Sequence, residues 1–223
     1  MLKIMNSTSL LILLAVAGLI GPADGQEINR NPDLDFKVKA FLESRKSSWR
    51  DMNVPMSDGR LLHDIIVTHN YKRALEIGTS TGRSAIWMAW ALSKTGGRLI
   101  TIEIDERRYR EAVQNFQAAG LSEYIDARRA DAHQLVKAFE GPFDFVFSDA
   151  DKDWYTNYFK DIAPKLAAGG CFTAHNMSMA RWRKGIREFI DYVRSRPDFE
   201  TTIDDSSRAG ISISFKKSIT GEE

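Results

Sequence analysis

The chain has 223 residues, enough for one sizeable buried core, and carries 31 basic against 30 acidic side chains. That balance supplies no global field of either sign, which argues against nucleic acid or an acidic macromolecule as partner. Its single cysteine, Cys171, excludes an internal disulfide and, in an apolar run after Gly169 and Gly170, reads as a buried structural thiol.

Along the chain, Lys3 precedes an apolar stretch at 10–20, then Gly21, Pro22, Ala23, Asp24 and Gly25. A positive start, a short apolar run and small residues before Gln26 have the form of a secretory signal over 1–25, with an uncleaved membrane anchor as the alternative. The expectation is an exported, periplasmic or N-terminally anchored protein, cytoplasmic if the signal reading fails. Residues 26–223 then make one domain. After a polar linker, an amphipathic helix is expected over 35–50, anchored by Phe36, Val38, Phe41, Leu42 and Trp49. A second helix, capped by Ser57, runs through Leu61, Leu62, Ile65 and Ile66. The pair forms a helical shoulder or lid ahead of a sheet.

From residue 73 the pattern alternates. Strands are expected at 73–77, 98–103, 125–129, 143–148 and 170–174. Helices are expected at 83–93, 106–119, 133–139, 155–166 and 179–194. Two last strands, 199–203 and 211–215, flank a polar loop too long for a tight hairpin turn. This order argues for a doubly wound α/β sandwich, mostly parallel with an antiparallel edge.

Three segments carry chemistry. Residues 74–84 (Ala-Leu-Glu-Ile-Gly-Thr-Ser-Thr-Gly-Arg-Ser) read as a buried strand, a glycine turn and a helix start. Gly78 and Gly82 permit a sharp turn and close approach of a ligand, although their spacing is not the dinucleotide Gly-x-Gly-x-x-Gly. Glu103 ends the next strand, where a carboxylate must face a cleft or a partner; its two oxygens suit the hydroxyl pair of a ribose. Asp105 reads as a helix cap. Asp131 suits either a cap or an adenine amino group. The third segment, Asp149, Ala150, Asp151 and Lys152, places two acids and a lysine at a later strand end.

In order and spacing these segments, with 131–132 and 169–176, resemble S-adenosylmethionine-dependent O-methyltransferases of the cation-dependent catechol and caffeoyl-CoA type, especially small bacterial members. The resemblance spans about residues 54–215 and implies a Rossmann-like methyltransferase fold with a seven-stranded, mostly parallel sheet and an antiparallel edge strand. It implies an S-adenosylmethionine pocket: Glu76, Gly78, Thr79 and Gly82 around the methionine end, Ser84 near its carboxylate and Met56 near the sulfonium. Glu103 would hold the ribose, and Asp131 and Ala132 would flank the adenine. Asp149 would border that pocket and bind a divalent cation, with Lys152 as the base and Tyr155 beside it. The acceptor implied is a small hydroxylated aromatic, with Lys152, Trp154, Tyr155 and Trp182 at its pocket. A homodimer is implied as well.

One position departs. The family pairs an aspartate with an asparagine after the later strand; here they are His175 and Asn176. A site of Asp149, His175 and Asn176 carries one negative charge fewer and gains an imidazole, which shifts preference from magnesium towards transition ions. The alternatives are metal-free transfer with His175 as the base, transfer to another nucleophile, or a non-catalytic exported binding protein.

Overall fold

The computed structural model describes residues 31–49 and 51–218; the expected signal or anchor at 1–25 lies outside them. Helix α1 (Pro32–Ser44) is capped by the Asn31 side chain, and α2 (Met56–Thr68) follows Pro55. The remaining elements are β1 (Arg73–Ile77), α3 (Arg83–Thr95), β2 (Arg98–Glu103), α4 (Glu106–Ala119), β3 (Ile125–Arg129), α5 (Ala132–Ala138), β4 (Phe143–Ser148), α6 (Tyr155–Ile162), β5 (Leu166–His175), α7 (Lys184–Arg194), β6 (Phe199–Asp204) and β7 (Ile211–Lys216).

The seven strands stand in the order β3-β2-β1-β4-β5-β7-β6. The first five are mutually parallel, and β7 runs antiparallel to both β5 and β6. Helices cover both faces, so the central strands read as near-continuous apolar runs. One core lies beneath α1, α2 and α3, with Val38, Leu62, Ile66, Phe145 and Phe147. The other lies beneath α5, α6 and α7, with Val146, Phe159, Phe172 and Phe189. Helix α3 is buried from Arg83 through Ser93, because α2 covers the side turned away from the sheet. Cys171 is buried, as expected.

Several expected boundaries shift. Helix α1 ends at Ser44, and α2 starts one residue before Ser57, whose hydroxyl donates to Asp58 instead of capping the helix. Pro164 sits in a 3₁₀ turn after α6, which stops that helix early. The helix expected over 179–194 is split. A 3₁₀ turn (Met177–Arg181) is tied to the loop before β7 by Met177 N–H to Gly210 O, and α7 begins only after Arg183 returns to extended backbone. Strand β5 runs from Leu166 to His175, longer than its glycines suggest.

Candidate active site

The strand order reverses between β1 and β4, and the crevice outside the carboxyl ends there is where open α/β sheets bind ligands. The turn after β1 is built for close approach. Gly78 has φ +99°, and a Cβ on it would meet Ala150 N and Asp149 C at 2.9 Å; Gly82 has φ +97° against the Phe116 ring. Asp149 N–H donates to Ile77 O at 2.8 Å, so the ends of β1 and β4 are tied together by main chain.

Glu103, 6% exposed, closes the turn from β2. Its two carboxylate oxygens accept from Ser80 N–H (2.7 Å) and Asp105 N–H (2.9 Å). Each oxygen keeps a lone pair for a hydroxyl donor. Ser80 adopts φ +50°, a strained conformation held by this bond and by its own hydroxyl donating to Asp51 O. The segment before α2 straps over the turn: Asn53 donates to Thr81 Oγ1 and accepts from Arg83 N–H, while Arg107 and Arg108 pair with Asp51.

Beneath the turn, Glu76 is fully buried and accepts from the Ser84 and Thr101 hydroxyls. Burial pushes its carboxyl up to about 8, against the pull of those hydrogen bonds. The Ser84 hydroxyl is thus turned inward to Glu76, away from the role expected of it at a ligand carboxylate. Thr79 is also buried, its hydroxyl against that of Thr101. Asp131 caps α5 through His133 N–H, with Ala132 buried behind it. The His133 ring stands between Asp131 and Asp151 and packs on Trp154 and Tyr158.

The β4 and β5 ends are held differently, by side-chain charge. Lys152 Nζ donates to Asp149 Oδ1 (2.6 Å) and to the main-chain oxygens of Asp149 (3.0 Å) and Ala150 (3.1 Å). On the other side, His175 Nδ1 faces Asp149 Oδ2 at 3.4 Å, while Nε2 meets Asp58 Oδ2 at 2.8 Å. Burial alone would raise Asp149 and Asp58, but His175, joined at Asp149 by Lys152 and at Asp58 by two serine hydroxyls, holds both below the usual carboxylate range. Burial would lower His175, yet the carboxylates of Asp149 and Asp58 outweigh it and lift the ring to about 9.

Tyr155 is fully buried, its ring edge-on to Phe189 and its hydroxyl 3.5 Å from Asp149 Oδ1; it supports Asp149 from below rather than lining a pocket. Trp154 is partly buried, its ring edge-on to that of His133 at 4.8 Å. Trp182 is 68% exposed and borders a groove of about 490 Å³ with Met177, Arg181, Ser207 and Arg208. Met56 packs half-buried at the start of α2. Asn176 follows His175 with φ +65°, a conformation asparagine tolerates better than most residues. Among the described residues no three His, Cys, Asp or Glu side chains cluster as a metal would require. The expected ligand set contains two such groups, with the Asn176 amide as the third. The chemistry of the set still fits a divalent ion, because His175 Nδ1 is buried without a hydrogen-bond partner and faces a carboxylate oxygen.

Sequence reasoning missed Asp58 and Ser207. One signal existed for Asp58: it shares a helix face with Leu62, Ile65 and Ile66, where a carboxylate must find a partner. Nothing local marks Ser207, which reaches Asp58 from 149 residues away in the chain.

Among solved structures, the fold matches an O-methyltransferase from Bacillus cereus in complex with SAH at TM-score 0.69 and 24% identity, over 85% of this chain and 93% of that one. It also matches the O-methyltransferase TomG from Streptomyces achromogenes at TM-score 0.68 and 24% identity, over 86% and 92%. In sequence, the chain is 42% identical over 130 residues to a catechol O-methyltransferase from Niastella koreensis, covering 56% of this chain and 58% of the relative. It is 33% identical over 162 residues to caffeoyl-CoA O-methyltransferase 1 from Eucalyptus globulus, covering 66% and 65%. The match thus spans somewhat under two thirds of these relatives' length. The O-methyltransferase family profile matches residues 34–191, most of the described fold, and the chain belongs to that family.

Proposed function

We propose that this protein transfers a methyl group from S-adenosylmethionine to a hydroxyl of a small catechol-like or phenolic acceptor. The observation that carries the reading is the convergence at the β1/β4 crevice of Glu103, with lone pairs to spare, and the Asp149–Lys152 pair. The names of the sequence relatives support the acceptor class.

The main chain of Gly78, Thr79 and Gly82 borders the methionine end, with Met56 towards the sulfonium and the Glu76–Ser84 pair fixing the turn from below. Glu103 holds the ribose, and Asp131 and Ala132 border the adenine. The sulfonium supplies an already activated methyl group, so the protein has to align an oxygen behind that carbon and manage its proton. Lys152, anchored by Asp149, stands beside the acceptor oxygen and as an ammonium stabilises its developing charge; from its neutral amine form it takes the proton. Asp149, His175 and Asn176 would hold a divalent ion, which supplies positive charge next to that oxygen when bound. Trp182 and its groove receive the rest of the acceptor. The homodimer rests on the family resemblance, and export or anchoring rests on the sequence of residues 1–25.

Calorimetric titration of the full chain with S-adenosylmethionine, followed by turnover on a catechol panel with and without divalent ions, tests this. Submillimolar cofactor binding and a methylated catechol are expected. A folded protein that binds no cofactor overturns the reading.

A further inference from the structure

We propose that Asp58 is a positioning residue that makes His175 a nitrogen donor, so that the Asp149–His175–Asn176 edge selects a transition-metal ion over magnesium. This rests on the methyltransferase reading for the location of the ion and goes beyond it in the residue and the preference.

Asp58 is 3% exposed on the buried face of α2 and receives three contacts: His175 Nε2 at 2.8 Å, Ser207 Oγ at 3.0 Å and Ser57 Oγ at 3.0 Å. An ionised carboxylate has no proton to give, so Nε2 must carry one and donate it. That bond fixes the ring plane and commits Nε2, leaving Nδ1 beside Asp149 as the atom that would bind an ion, which displaces the Nδ1 proton on binding. Nδ1 is buried, lacks a hydrogen-bond partner and stands 3.4 Å from Asp149 Oδ2.

The 3.4 Å separation leaves room for one ion to be shared by the two atoms. A charge-assisted N–H···O bond closes to about 2.7–2.9 Å. Two donors bound to one ion at about 2.0–2.2 Å stand roughly 3.0–3.4 Å apart. A carboxylate that orients the far nitrogen of an imidazole is also how proteins fix histidine ligands to metals. The donor set of one imidazole, one carboxylate and one amide suits ions of the cobalt-to-zinc range, whereas magnesium prefers hard oxygens. Ser207 lines the groove beside Trp182, so the same hydroxyl that steadies Asp58 borders the space proposed for the acceptor.

The test is titration of the full chain with Co²⁺, followed by its visible absorption, and with Mg²⁺ by calorimetry, with S-adenosylmethionine affinity measured in parallel. Co²⁺ is expected to bind at least about tenfold more tightly than Mg²⁺, with a spectrum that signals nitrogen ligation. Asp58→Asn should weaken Co²⁺ by about 10–100-fold and leave the cofactor affinity unchanged. Ser207→Ala should act in the same direction and less. His175→Asp should reverse the preference towards Mg²⁺, which also decides the matter if Asp58→Asn does not fold. A folded Asp58→Asn protein with wild-type Co²⁺ affinity overturns the proposal. So does a wild-type protein that binds S-adenosylmethionine but not Co²⁺, in which case the imidazolium is itself the cation between the two carboxylates. Failure to bind S-adenosylmethionine would instead strike the functional reading, while the Co²⁺ titrations still judge Asp58.

Discussion

The two halves of the crevice are built from different materials. At the β1 and β2 ends, main-chain geometry sets the shape: glycines with positive φ, and amides of Ser80 and Asp105 gathered on Glu103. At the β4 and β5 ends, four ionisable side chains from three parts of the chain hold one another: Asp58, Asp149, Lys152 and His175. The first arrangement is local and tolerates changes that keep the turn. The second depends on every member, because removing one partner leaves a buried charge uncompensated.

The sharpest way to break this contrast is at Gly78, where the halves touch. Gly78→Val forces a Cβ into the Ala150 and Asp149 backbone at a positive φ, and should cost about 2–5 kcal/mol. Chemical denaturation checks it; wild-type stability would show that the turn can relax. Next, Lys152→Ala should lower kcat/KM by about 10²–10⁴-fold while leaving cofactor affinity nearly unchanged. A fall in cofactor affinity of similar size would mean that the halves are not separable. Glu103→Gln should do the converse, weakening S-adenosylmethionine by about 10–100-fold in isothermal titration, through loss of one charged hydrogen-bond acceptor.

A subtler comparison uses pH. The carboxyl of Glu76 lies at about 8 in the fold against 4.5 ordinarily, so its protonated form is the one the fold favours. Its stabilising contribution is present in full below pH 4.5 and is lost as pH rises through 8. Glu76→Gln, which keeps an acceptor and a donor for Ser84 and Thr101, should therefore gain on the wild type in melting temperature between pH 5 and 8. An unchanging gap would show that Glu76 is ionised throughout. The smallest effect is expected at Trp182: with its ring exposed, Trp182→Ala should alter stability by no more than about 0.5 kcal/mol. The acceptor KM should rise all the same.

The same division explains what could be read in advance. Strands β1 to β4 fall where the apolar runs place them, and Glu103 at the end of β2 accepts from Ser80 in the turn between Gly78 and Gly82, because turn chemistry and strand ends are written in adjacent residues. Asp105 and Asp131 cap their helices for the same reason. The periodicity of 179–194 suggests one continuous helix, and the 3₁₀ turn that splits it is not legible there, since the tie from Met177 to Gly210 is a long-range contact. Tyr155 was misplaced because its spacing from Asp149 does not reveal that α6 turns its ring into the core. His175 was recognised as a departure, but its partner Asp58 lies 117 residues away on another helix.

That helix is seated by the residue next to Asp58. Gly59 lies flush on the Trp87 indole of α3, and a methyl group there would overlap the ring. The seat acts as a gauge block: it sets how near α2 stands to the sheet, and with it how far the carboxylate of Asp58 reaches. A displacement of roughly 1 Å, of the order that can cost an active site a hundredfold, would be enough to part Asp58 from the imidazole. A residue with no side chain, facing away from the crevice, thereby governs the tolerance to which its charged edge is made.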